Sequence, residues 1–127
     1  MRVTNFRYIE PLFLARYPVA VTGIFVVAED YTVAFDIDGK PATYTVPAHT
    51  PTDLASIPRI VPRFIAEKVN GHIEAAVVHD RLCLDRGPYT SDEAAAIFEA
   101  AMLAAHVPAW RRKMMVTAVR KFGPKWE

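Results

Sequence analysis

An imidazole and a carboxylate stand side by side at His79 and Asp80, where the apolar run Ala75-Ala76-Val77-Val78 ends. Apolar segments rarely accept two ionisable groups, because a buried charge needs a partner or a shifted pKa. Upstream, Thr52-Asp53-Leu54-Ala55-Ser56-Ile57-Pro58-Arg59 sets another carboxylate, a hydroxyl and a guanidinium in a proline-punctuated loop. Two chemistries suit this set. In the first, His79 is the general base of a small hydrolase, with Asp80 and Asp53 as acidic partners. Such a base needs a pKa near neutrality and a group that orients it. In the second, the residues form a structural network. Asp53 takes the backbone amides near Ala55 and Ser56 or pairs with Arg59, and His79 locks the loop onto its helix. The structural reading is preferred, because a lone His-Asp pair is a weak catalytic signal.

Spacing supplies further constraints. Neighbours on a helix project about 100° apart, so His79 and Asp80 address different parts of one cleft rather than each other. Cys83 lies one turn beyond His79 on the same face. A Cys-His pair can be nucleophilic, yet a cysteine on an apolar helix is usually core. His49, His72 and His106 are scattered, and no His-x-x-x-His spacing occurs, so no metal site is predicted. A hard cation needs several oxygens, and Asp80 alone is insufficient. No cofactor is expected.

The elements that position these residues change character near residue 50. Before it, β-branched and aromatic residues dominate. Strands are expected over Ala20 to Ala28, Tyr31 to Ile37 and Ala42 to Val46, with an edge strand within residues 1 to 10. Asp38-Gly39 is a hairpin signal, since both residues tolerate positive φ. Residues 48 to 60 form the motif loop, and residues 61 to 123 are helical. A short helix is placed near Val61 to Lys68, before the break at Asn70-Gly71. The next runs from His72 to Leu84 and is apolar nearly all round, the mark of a helix covered on several sides. Thr90-Ser91-Asp92-Glu93 is a capping box that starts a helix running to about Ala105. Pro108 suits the first turn of a last helix, which Gly123-Pro124 stops. Trp110, Met114, Ala118 and Phe122, with Met115 and Val119 beside them, are expected to form its buried face. Arg111, Arg112, Lys113, Arg120 and Lys121 lie on the rest, read as solvated surface. The fold class is therefore α+β: an N-terminal antiparallel sheet of three to four strands packed on three main helices, in a single domain over 1–127.

Composition bounds the function. The chain has 127 residues, about half of them hydrophobic, and a formal net charge of +1. No basic excess points to a duplex, and no nucleic acid is predicted as a partner. The single cysteine excludes an intramolecular disulfide. Arg2 and Arg7 have no apolar stretch behind them, so no signal peptide is read. No apolar run approaches the roughly 20 residues of a membrane span.

Thr45-Val46-Pro47-Ala48, the Thr52 to Arg59 motif and Ala75-Ala76-Val77-Val78-His79-Asp80 resemble domain-of-unknown-function family 1353. So do Ile97-Phe98-Glu99-Ala100-Ala101-Met102, a following tryptophan, Met114, and Ala118-Val119-Arg120-Lys121-Phe122-Gly123. The resemblance covers about residues 43 to 126. It implies a small α+β domain of phage or prophage origin, working in the host cytoplasm or the virion with a protein partner from phage or host. The family pattern, His-Asp-x-x-Tyr with an aspartate on the next helix, is similar to the helical core of secreted phospholipases A-two. There the histidine activates water, its neighbour binds calcium, and the distant aspartate orients the imidazole. This chain departs twice: Cys83 stands at the tyrosine position and Ala95 at that of the orienting aspartate. The expected role is thus a non-catalytic structural or interaction module of the virion, its assembly or the infected cell. A small hydrolase of an ester or lipid, with calcium only in that case, and a host-directed binding protein are the alternatives.

Overall fold

A computed structural model of the chain describes residues 1–16, 25–52 and 72–127. Strands β1 (Val3–Tyr8), β4 (Tyr31–Ile37) and β5 (Lys40–Val46) form one antiparallel sheet in the order β1-β4-β5. Strands β2 (Leu14–Arg16), β3 (Phe25–Val27) and β6 (Pro51–Thr52) form a second, with β3 in the middle. Among the described residues three helices follow: α1 (His72–Leu84), α2 (Ser91–Ala104) and α3 (Ala109–Phe122). The α+β class holds, but the strands divide into two small sheets of three instead of one. The division comes from β2 and β6, which are three and two residues long and owe their strand character to pairing with β3. The short helix expected over Val61 to Lys68 and most of the strand expected to begin at Ala20 fall outside the described residues.

The β4–β5 hairpin turns on two residues, Asp38 (φ 50°) and Gly39 (φ 81°), between the paired Ile37 and Lys40. Both central residues at positive φ match the right-handed twist of the strands they join. Strand β1 carries a bulge between Thr4 and Arg7, with Asn5 at φ 53°. Within it Phe6 stacks on Phe35 of β4 at 5.6 Å, and beyond it the Tyr8 hydroxyl donates to the Ala101 carbonyl at 2.7 Å. The Tyr8 bond helps seat α2 on the first sheet.

Helix α2 starts as its residues dictate. The Thr90 hydroxyl accepts from the Glu93 amide at 3.1 Å, and the Glu93 carboxylate accepts from the Thr90 amide at 3.0 Å. Its inward residues Ala94, Ala95, Ile97, Phe98, Ala101 and Met102 are fully buried. The alanines let α1 and α3 approach closely on either side, while β1 lies against it as well. Helix α1 is enclosed from Ala75 through His79, five consecutive buried residues, and packs on α2, β5 and β6. Ile73 and Leu84, at its two ends, are exposed.

Helix α3 turns inward only part of the face expected. Met115, Ala118 and Val119 are buried as read, and Val116 with them, whereas Trp110, Met114 and Phe122 are 53%, 42% and 67% exposed. A repeat of four drifts about 40° per step on a helix of 3.6 residues per turn. A stripe built on Trp110 and Met114 therefore leaves the seam that Met115 and Val119 occupy. Arg111 lies over Trp110 at 5.0 Å and Lys121 over Phe122 at 5.5 Å, so cations cover the displaced rings. Pro108 stands just before the helix as its cap instead of inside the first turn. Gly123 closes it because a Cβ there would meet the Val119 carbonyl oxygen at 2.4 Å.

Candidate functional site

His79 and Asp80 leave α1 in different directions, as their spacing requires. Asp80 faces the second sheet, where its Oδ2 accepts from the Thr52 hydroxyl at 2.6 Å. Thr52 is itself buried at the end of β6, so this bond ties the start of the motif loop to α1. Asp53, Ser56 and Arg59, the other motif residues singled out in the sequence, lie outside the described residues.

His79 faces the helical layer and is 5% exposed. Burial pushes its pKa down from 6.5 to about 4, so the imidazole is neutral at pH 7. Its Nδ1 meets the Cys83 sulfur at 3.7 Å. The cysteine is held as a thiol, its pKa pushed up to about 11 mainly by burial, then by the nearby charge of Asp80 and against the pull of Arg86. A thiol donating to Nδ1 would place the ring hydrogen on Nε2, and one accepting from Nδ1 would leave Nε2 bare. The Phe98 ring lies against the imidazole at a centroid distance of 5.0 Å. One turn before it, the fully buried Ala95 supplies no carboxylate to orient the ring.

His79 also lines a cavity of about 160 Å³ bordered by the middle of α1, the start of α2, the last turn of α3 and the segment after it. Ser91 and Asp92, in the first turn of α2, form one wall, and Arg120 and Lys125 form another. The Arg120 guanidinium is 3.5 Å from the Asp92 carboxylate, and both side chains are largely open to solvent. The segment after α3 folds over this place. The Trp126 carbonyl accepts from the Ser91 amide and hydroxyl, and its indole donates to the Tyr89 carbonyl at 2.7 Å. Neither this wall nor Thr52 was among the sequence candidates. Cys83 was, through its position one turn from His79.

The donor set for a metal is thin. Among the described residues no three histidine, cysteine or acidic side chains group as a metal site. Asp80, the residue that the phospholipase pattern would give to calcium, accepts from the Thr52 hydroxyl. No helix among them is long and apolar enough to cross a membrane.

The model of the family described as "Protein of unknown function (DUF1353)" matches residues 25–119. The chain is 40% identical over 78 residues to the uncharacterized protein y4iH of Sinorhizobium fredii, covering 61% of this chain and 32% of that protein. It is 33% identical over 104 residues to the uncharacterized protein y4jT of the same organism, covering 81% of this chain and 30% of that protein. The chain thus spans about a third of the length of these curated relatives. No solved structure matches it.

Proposed function

Since the chain belongs to the family of proteins of unknown function DUF1353, we propose that it is a phage- or prophage-encoded structural or interaction module without catalysis of its own. It would serve the virion, its assembly or the infected cell. The setting of His79 carries this reading. A general base works best with a pKa near the operating pH and a polar group that fixes its tautomer. His79 instead has its pKa lowered to about 4, a thiol at Nδ1 and a phenyl ring on its face. It is built as a wedge between α1 and α2.

The partner is a protein, of phage or host, that meets the outward face of α3. That helix holds five of the fifteen cations and none of the fourteen acids, leaving a formal −4 on the rest of a chain whose total is +1. Trp110 and Met114 stand exposed among these cations. An acidic surface with an apolar centre complements them.

A small hydrolase is the second reading, favoured by the cavity that His79 lines. One experiment separates the two: thermal melts beside esterase and phospholipase assays, with and without calcium, on the parent, His79→Gln and Asp80→Asn. The structural reading expects His79→Gln to lower stability by about 1–3 kcal/mol, with no turnover to lose. Calcium-dependent turnover that disappears in both variants while the melts stay unchanged would install the hydrolase instead.

A further inference from the structure

The geometry points to a small-oxyanion site in the cavity at the start of α2, where His79 Nε2–H, Arg120 and Lys125 converge on a ligand the size of phosphate or a short carboxylate. Three features place donor-bearing residues around one space. The first is His79. It is only 5% exposed, its Nδ1 is occupied by Cys83, and its Nε2 has no partner among the described residues although the ring lines the cavity. The ring borders the cavity and is not sealed in packing on that side, so an acceptor that enters can reach it.

The second feature is the first turn of α2, a helix of fourteen residues. Its early amides are nearly all taken: Ser91 donates to the Trp126 carbonyl, Glu93 to the Thr90 hydroxyl and Ala94 to the Thr90 carbonyl. The amide of Asp92, a residue of the cavity wall, makes no hydrogen bond among the described residues. It adds an N–H at the positive end of the helix dipole. The third feature is the pair of cations on the opposite wall, Arg120 and Lys125. A guanidinium grips an oxyanion through paired N–H groups, and an ammonium adds charge without demanding geometry. The volume of about 160 Å³ admits several waters at roughly 30 Å³ each, or one tetrahedral or planar oxyanion in their place.

Asp92 opposes the ligand. Its carboxylate holds the Arg120 guanidinium at 3.5 Å and is 81% exposed, so it guards the mouth as an internal competitor. An arriving oxyanion takes over the guanidinium, and Asp92 swings into solvent. This inference stands apart from the module reading, because it needs no chemistry at His79, only its hydrogen.

The test uses the full chain with its imidazole nitrogens labelled. His79 Nε2 is followed by NMR during titration with sodium phosphate, sodium acetate or sodium chloride at constant ionic strength. A saturable shift with phosphate, acetate or both, absent with chloride, is expected, and the pattern across the two arms says which oxyanion the site takes. Arg120→Gln should weaken the binding roughly tenfold, the loss of one charge-assisted contact. Asp92→Asn should tighten it several-fold. Both side chains are exposed, so the melts of these variants should match the parent. No shift up to ~10 mM ligand, a range that reaches affinities weaker than about −4 kcal/mol, overturns the inference. So does a shift equal in chloride, or one that Arg120→Gln leaves unchanged.

Discussion

Acid reports on His79 directly. Its folded-state pKa of about 4 lies below the ordinary 6.5, so between those values the unfolded chain takes up a proton that the folded chain refuses. Stability contributed by the neutral, buried ring is complete above the unfolded value and is lost as pH falls from about 6.5 toward 4. A gap of this size amounts to on the order of 3 kcal/mol, at 1.36 kcal/mol for each unit. Urea melts of the parent across pH 4 to 7 should show that decline. His79→Gln should lack this part of it while keeping whatever the carboxylates and the other histidines contribute. Parallel pH profiles in the two proteins would mean that His79 takes its proton in the folded state as readily as in the unfolded one. Thr52 carries a separate residue-level prediction. Its hydroxyl donates to Asp80 at 2.6 Å from a buried position, and Thr52→Val keeps the shape while removing the donor. About 1–3 kcal/mol should be lost, read as a lower urea midpoint at unchanged slope. An unchanged midpoint would mean that the bond does not help hold β6 to α1.

Helix ends show which parts of the fold can be read from neighbouring residues. The capping box at Thr90, the two-residue turn at Asp38-Gly39 and the span of α1 from His72 to Leu84 all follow from short-range chemistry, and all stand as expected. The C-terminus of α2 is equally local but carries no sequence flag. Val107 donates to the Met102 carbonyl at 3.0 Å and His106 to the Leu103 carbonyl at 3.1 Å, with His106 at φ 63°. This is the helix stop that glycine usually serves, here made by a histidine in a left-handed conformation that costs an L-residue about 1–2 kcal/mol. Replacing it with glycine relieves the strain and partly forfeits the gain through a looser unfolded chain. His106→Gly should therefore raise stability by about 0.5–1 kcal/mol, visible as a higher melting temperature. A lower melting temperature would show that the imidazole makes contacts worth more than the strain. Elements fixed by distant pairing were not legible. Strands β2 and β6 are too short to signal themselves, and the Thr52–Asp80 bond joins residues 28 apart in sequence. The candidate site divides in the same way. The nearness of Cys83 to His79 follows from one helical turn, whereas the cavity is assembled from the middle of α1, one end each of α2 and α3, and the segment that Trp126 anchors.

At the scale of the molecule, the helical layer is a stack in which α2 sits against β1 and between α1 and α3, and the rotation of α3 decides what the outer surface offers. Met114 and Met115 are adjacent in sequence yet opposite in consequence: Met115 is fully buried, while Met114 is 42% exposed beside Trp110. Truncating a buried methionine removes its transfer energy and leaves a cavity, about 2–5 kcal/mol. Truncating an exposed one away from special contacts stays within about 0.5 kcal/mol. Met115→Ala should thus melt well below the parent, and Met114→Ala beside it. If the surface of α3 is the docking face, the two variants separate a second time. Met114→Ala and Trp110→Ala lose partner binding at an unchanged melting temperature, because aromatic and methionine side chains at the centre of an interface carry a large share of its energy. Equal destabilisation by both methionine changes would mean that α3 is turned so that Trp110 and Met114 pack inward, and the basic helix would then have no exposed apolar centre to dock with.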